Sequence, residues 1–419
     1  MSKRSHPPGL YVLFFTELGE RYSFYSLMAI LTLYMDESLR FRPEVIGQVY
    51  GAFVAAVFFV PLVGGVVADR WLGFYRAVIA GGILIGAGQL VLGTGSLPAF
   101  FAGLTLLACG TGLLKPNVST IVGNLYADRP ELRDAGFNIF YMGINIGSFI
   151  APIVVSYLRH AFGWRVAFAS AAVGVLLALS VFVCFRRHLG AAGRPGRVSE
   201  AAVSDEGGGR SRIFALLVVF GIVIAFWIAF YQNGFTLTLW ARDNTATRLA
   251  PETFQSVNPL GIILFSPLLV ALWSALRRRG REPSTLAKIL IGMAFTIATF
   301  LIMAVAGVAG GDYGRVSAAW LIAAYLMIAV AEICLSPMGL SLVSRIAPPR
   351  HRGTMMGAWF AATAVGGYLA GFLGTFWYRL PHSTFFLLVA GAAGLAAVTL
   401  VVAKPRLQAV FDNRSRSHA

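Results

Sequence analysis

Five ionisable side chains interrupt apolar stretches of this 419-residue chain: Glu17, Glu20 and Arg21 near the start, Lys115 further on, and Glu332 in the second half. A charge at membrane depth costs roughly 2.5 kcal/mol or more, so such groups pair, line a wet cavity and serve function. Positions 17, 20, 21 and 24 share one helical face by their i, i+3 and i+4 spacing. Two acids beside one guanidinium leave a titratable group to spare. One carboxylate offsets Arg21, and the other is available to take up and release a proton. The rival reading, a structural ion pair that orients the helix, leaves the second acid without a role. Lys115 stands directly before Pro116, which removes a backbone donor and loosens a helix, so its depth argues against a snorkelling side chain. The nearest charges along the chain from Glu332 are Arg315 and Arg345, so its partner must come from another helix, with Arg21 and Lys115 the available cations. Asn145, between Gly143 and Gly147, and Asn258, before Pro259, carry amides able to hydrogen-bond a peptide unit or to tie two helices together. The pairs Gly143/Gly147 and Gly367/Gly371 read as helix-packing faces.

The elements that must position these groups are membrane helices. The chain is 57% hydrophobic and 12% charged with mean hydropathy +0.73, whereas soluble domains carry about 25% charged residues. The net charge of +16 does not indicate nucleic acid, because the basic residues recur in short clusters between apolar spans. Cys109, Cys184 and Cys334 lie within apolar spans without metal-ligand spacing and read as small packing residues. All six histidines fall in loops or tails, so carboxylates must carry any proton coupling. No nucleotide-binding loop, metal cluster or nucleophile–base arrangement is legible, so the expectation is a protein that is not an enzyme and needs no cofactor and no metal.

Twelve stretches can cross about 30 Å of hydrocarbon: 9–35, 46–68, 76–94, 98–124, 136–158, 164–185, 213–240, 254–276, 286–309, 316–343, 353–378 and 382–403. The first is charged in its middle and lacks a small-x-small cleavage site, so it reads as an uncleaved helix rather than a signal peptide. A polar, Gly- and Arg-rich segment divides the spans six and six. The expected organisation is therefore a six-helix bundle over 1–185, a flexible cytoplasmic linker over 186–212 and a second six-helix bundle over 213–419. With both termini inside, the inner segments hold 24 Lys and Arg and the outer loops eight, the positive-inside bias of an inner (plasma) membrane protein. We expect a monomer in the lipid bilayer, with no nucleic-acid partner.

This plan resembles the major facilitator superfamily, whose members bind substrate near the midplane and rock. The run from Gly64 and Gly65 through Asp69, Arg70 and Gly73 is similar to that superfamily's motif between helices two and three. More specifically, Glu17-x-x-Glu20-Arg21-Tyr22-Ser23-Phe24-Tyr25 resembles the first-helix motif of the proton-dependent oligopeptide transporter (POT) family. Leu114-Lys115-Pro116-Asn117, Phe140-Tyr141-Met142-Gly143-Ile144-Asn145, Phe254-Gln255-Ser256-Val257-Asn258-Pro259 and Glu332-Ile333-Cys334-Leu335-Ser336-Pro337 resemble four further signatures, in order. The resemblance implies that Arg21 and Lys115 meet a peptide carboxylate, Glu332 meets its ammonium group, and Asn145, Asn258 and Tyr25 contact its backbone. It also implies that Glu17, Glu20 and Glu332, with Arg21 and Lys115, handle protons.

The chain departs from the family pattern in four places. Met28 stands where peptide-carrying members have a second Arg, and Tyr231 where they have an acid. Losing both charges together is electrostatically coherent, since either alone would be a buried orphan. Phe24 and Phe58 replace two tyrosines. The two extra helices of many bacterial members have no room in the linker. The expected function is proton-coupled import of di- or tripeptides or related small zwitterions. The alternatives are a carrier of a modified amino acid, an aromatic amphiphile or a small anion, and a non-transporting membrane sensor.

Overall fold

The computed structural model describes residues 6–129, 132–193, 209–347 and 351–416. Apolar runs in lipid can satisfy their backbone groups internally only as helices or closed barrels, and here they are helical. In chain order the helices are α1 (Gly9–Leu33), α2 (Pro43–Val67), α3 (Phe74–Leu92), α4 (Leu97–Asn124), α5 (Arg133–Phe162), α6 (Trp164–Cys184), α7 (Gly209–Phe230), α8 (Thr236–Asp243), α9 (Val257–Arg278), α10 (Thr285–Ala309), α11 (Ala318–Ile346), α12 (Arg352–Gly374) and α13 (His382–Arg416). The short α8 continues α7 through the turn Tyr231–Gly234, so the two form one span. Among the described residues, eleven spans are long and apolar enough to cross a membrane. Helix α1 is a further long helix, and it carries Glu17, Glu20 and Arg21 in its middle. Its 25 residues reach about 37 Å at 1.5 Å per residue. A two-residue parallel pair, Thr245–Ala246 with Val316–Ser317, interrupts an otherwise helical chain.

Contacts group the chain into two compact units. The first comprises Met1–Phe41, Ala56–Val198 and Ala250–Leu260; the second comprises Arg42–Ala55, Ser199–Leu249 and Gly261–Ala419.

In the first unit, α1 is buried along most of its length against α5 and α6. A side chain at Gly147 would place its Cβ 2.5 Å from the Leu18 carbonyl oxygen, so the close approach of α5 to α1 requires glycine there. The first glycine of the loop motif acts likewise. A Cβ on Gly64 would meet the Gly112 carbonyl oxygen at 2.1 Å, the carbonyl that Pro116 cannot bond. Helix α4 nevertheless runs unbroken past Pro116, and Asn117 Nδ2 donates to the Leu113 carbonyl at 2.6 Å. Gln89 of α3 donates to the carbonyl and hydroxyl of Ser23 at 3.0 and 3.1 Å. Residues 186–193, at the start of the polar segment, form two 3-10 turns. Leu189 is buried there, and Asn124 Nδ2 donates to the Ala192 carbonyl at 2.9 Å.

The segment Ala250–Leu260 is held in this unit by polar contacts. Ser256 Oγ donates to the Phe149 carbonyl at 2.8 Å, Gln255 Nε2 to the Ala29 carbonyl at 3.2 Å, and Thr253 Oγ1 to Ser156 Oγ at 3.2 Å. Arg159 is the centre of this contact. It bonds Glu252 at 3.0 Å, pairs with Glu37, and lies over the Trp164 ring 4.1 Å from its centroid.

In the second unit, α7 packs on α12 and α13, and α10 on α11 and α13. The first turns of α2 join them. Tyr50 Oη donates to the Tyr231 carbonyl at 3.0 Å, and Arg379 bonds Glu44 at 2.8 Å. Gly371 meets Gly47 and Gly51 so closely that a Cβ would lie 2.2 Å from the Gly47 carbonyl oxygen. Tyr325 Oη donates to the Asn233 carbonyl at 2.9 Å. His382 opens α13 as a buried residue stacked 4.0 Å from Trp377, a tighter setting than its place between two apolar stretches had suggested.

Glu252 is fully buried beneath Arg159. Removing one partner of such a pair costs about 3–5 kcal/mol because the other charge stays buried. Arg159→Leu is expected to lower thermal stability in detergent by that order, and Arg159→Leu with Glu252→Gln to recover most of it. Unfolding monitored by tryptophan fluorescence checks both.

Candidate functional site

Helix α1 carries the site's charges because its helical repeat brings Glu17, Glu20, Arg21 and Phe24 onto one buried face. Arg21 grips Glu20 with both arms of its fork: Nε pairs with Oε2, and Nη2 bonds Oε1 at 2.6 Å. Such bidentate, charge-assisted contacts are the strong ones. Glu17 receives less. Its Oε1 lies 3.6 Å from Arg21 Nε, and its buried Oε2 has no hydrogen-bond partner among the described residues. The two acids that look equivalent in sequence are therefore distinct. Glu20 is the counter-ion of Arg21, and Glu17 makes the longer, single contact.

Lys115 reaches this cluster from α4. It interacts electrostatically with Glu17, Glu20 and Arg21, yet within its own unit no described carboxylate is in ion-pair contact with its Nζ. Its close contact is instead the face of Phe58, 4.8 Å from ring centroid to Nζ. Arg21 similarly lies 4.9 Å over Phe24. The two phenylalanines that depart from the family pattern are thus the aromatic faces on which the two cations rest. The sequence reading noticed them only as a loss of hydroxyls. Their spacing from the cations would have revealed Phe24 at i+3 from Arg21, but not Phe58, which lies on another helix.

The remaining candidates are placed as follows. Tyr25 is half-buried beside Phe24, their ring centroids 5.3 Å apart. Asn145 of α5 is buried and donates from Nδ2 to the Tyr141 carbonyl of its own helix at 3.0 Å. Asn258 is buried at the start of α9, within the first unit. Met28 is buried in α1. Glu332 belongs to the second unit, half-buried in α11 five residues before Pro337. Tyr231, also in the second unit, stacks on Trp227 with centroids 5.6 Å apart, and the buried Trp227 Nε1 has no hydrogen-bond partner among the described residues. Seven of the eight candidates therefore fall in the first unit: Glu17, Glu20, Arg21, Tyr25, Lys115, Asn145 and Asn258.

Comparison with known proteins identifies what the chain is similar to. Residues 75–204 and 197–389 match the POT family. A di-/tripeptide transporter of Lactococcus lactis subsp. cremoris is 30% identical over 492 aligned positions that cover 97% of each chain. A crystal structure of peptide transporter POT in complex with sulfate superposes with a TM-score of 0.91 at 31% identity, covering 98% of this chain and 97% of that one. A POT family transporter in complex with 5-aminolevulinic acid superposes at 0.90 with 26% identity, covering 97% of this chain and 98% of that one.

The asymmetry between the two acids is open to measurement. Glu20→Gln strands Arg21 with one long contact and is expected to destabilise the protein by about 3 kcal/mol or more. Glu17→Gln keeps the Arg21–Glu20 fork and is expected to leave stability within about 1 kcal/mol. Equal losses for the two variants in thermal unfolding would show that the acids share Arg21 evenly.

Proposed function

Since the chain belongs to the POT family, we propose that it imports di- or tripeptides, or closely related small zwitterions, in symport with protons by alternating access. The observation that carries this reading is the state of Lys115. Arg21 and Arg159 each combine an aromatic face with a carboxylate in contact, whereas Lys115 has the Phe58 face and, within its own unit, no described carboxylate in ion-pair contact. A substrate carboxylate would supply an anion for a cation held this way. When it arrives, the negative charge of Glu17 and that of the substrate compete for Lys115 and Arg21. Protonation of Glu17 relieves the competition, which links substrate binding to proton uptake.

The remaining roles follow from the same chemistry. Glu332 pairs with the substrate ammonium group and shares in proton exchange, while Tyr25, Asn145 and Asn258 contact the peptide backbone. Asn145 does so by exchanging its own-helix carbonyl for the substrate. The protein sits in the inner membrane as a multi-pass carrier with both termini cytoplasmic, which the 24-to-eight distribution of Lys and Arg supports.

A second reading has its own support. Met28 and Tyr231 are uncharged where the family pattern leads one to expect an Arg and an acid, and one structural relative was crystallised with 5-aminolevulinic acid, a single small zwitterion. A binding screen of di- and tripeptides against single amino acids and 5-aminolevulinic acid separates the two readings.

In proteoliposomes, an inside-alkaline pH gradient is expected to drive accumulation, and Glu17→Gln or Glu332→Gln to abolish it while counterflow of labelled substrate persists. Full accumulation by both variants would remove the coupling assignment. Lys115→Ala is expected to weaken binding of free-carboxylate substrates by about tenfold or more, the scale of one charge-assisted hydrogen bond, and that of amidated analogues far less. Equal weakening of both would take Lys115 out of the carboxylate role.

A further inference from the structure

The second unit contains a cavity of about 480 Å³ that the transport reading does not use. It lies where α9 ends at Arg278 and α10 begins at Thr285, beside the last turns of α11. Three charged residues line it: Arg277, Glu282 and Lys288. Arg277 bonds Glu282 through Nε at 2.6 Å and Nη2 at 2.9 Å, and Lys288 Nζ bonds Glu282 at 2.7 Å. Lys288 is buried, with its Nζ 5.1 Å from the centroid of the Trp273 ring. Glu282 does not exhaust these cations. A guanidinium has five N–H donors and an ammonium three, and Glu282 takes two from Arg277 and one from Lys288. The cavity therefore holds one net positive charge and unused donors, with Arg278, Arg279 and Arg281 on the adjoining stretch of chain. The hydrogen bonds from Arg277, and then those from Lys288, pull the Glu282 carboxyl down to about 2. At any pH well above that value it stays ionised, so the balance is constant across the neutral range. Met338, Leu342 and Ile346 of α11 add apolar side chains to the lining, beside the polar Ser341 of the same helix.

A net positive, donor-rich cavity with apolar side chains in its lining, set where membrane helices terminate, fits an amphiphile with an anionic head. We propose that this cavity binds a phosphate-bearing anion, and that the headgroup of an acidic phospholipid is its source. Basic pockets between helices at the inner face of a membrane bind such headgroups. The lipid source rests on the side assignment made above, but binding itself does not, so it is testable without transport.

The full-length protein in neutral detergent is titrated with phosphatidylglycerol, phosphatidylcholine or inorganic phosphate, and followed by native mass spectrometry and thermal unfolding. Phosphatidylglycerol is expected to bind and raise the unfolding temperature above the phosphatidylcholine control. Arg277→Ala alters an exposed side chain and is expected to weaken it roughly fivefold, the effect of one basic residue near an anionic surface. Glu282→Gln is expected to tighten it by a similar factor, whereas a purely structural Glu282 would lower stability without changing affinity. Equal protection by inorganic phosphate would keep the phosphate site and overturn the lipid source. Equal response to both lipids with none to phosphate, or an unchanged affinity in Arg277→Ala, would overturn the proposal. Substrate accumulation by the same protein is measured separately, so a failed lipid site and a failed transport reading remain distinguishable.

Discussion

A guanidinium buried in the middle of a membrane helix is the constraint from which much of the first unit follows. Arg21 has only 4% of its surface exposed, and an ion so placed is tolerable only with its hydrogen bonds satisfied and its charge offset. Glu20 meets both needs through the two-armed contact. The packing around it then excludes solvent. Gly147 brings α5 within 3.1 Å of the Arg21 Cβ, measured from an idealised Cβ on the glycine, and Gly174 of α6 admits the Tyr22 ring. The small residues matter because of what they enclose: close helix contact lowers the local dielectric, which strengthens the ion pair and makes any unpaired charge beside it costly.

That setting separates the two acids of α1. Glu20 is taken up by the two-armed contact with Arg21, whereas Glu17 meets the same guanidinium at 3.6 Å and keeps one buried oxygen without a hydrogen-bond partner among the described residues. Lys115 adds its electrostatic interaction with the cluster from α4.

The protein solves the problem of a buried cation the same way in several places. Arg21 has Glu20 and the Phe24 face, Arg159 has Glu37, Glu252 and the Trp164 face, and Lys288 has Glu282 and the Trp273 face. Each combines a carboxylate, which neutralises, with a ring quadrupole, which holds the cation without requiring a second anion. Lys115 keeps the ring, and within its own unit no described carboxylate is in ion-pair contact with its Nζ.

The sequence by itself determined the helical class and the spans, because hydropathy over about 20 residues is a one-dimensional property that lipid reads directly. It also identified Glu17, Glu20, Arg21, Lys115 and Glu332, because a charge within such a run is conspicuous without coordinates. The glycines at 143 and 147 were legible for the same reason: their spacing lies on one helix face, and they do pack against α1. Only the tertiary structure decided which acid serves Arg21, that Phe24 and Phe58 carry the cations, that Asn145 bonds within its own helix, and that Arg159, Glu37 and Glu252 converge. Arg159 and Glu252 fall between the expected spans, where a charge is not conspicuous. Those assignments depend on distances between residues up to 215 positions apart, from Glu37 to Glu252, and helical periodicity fixes which way a side chain faces but not what stands opposite it.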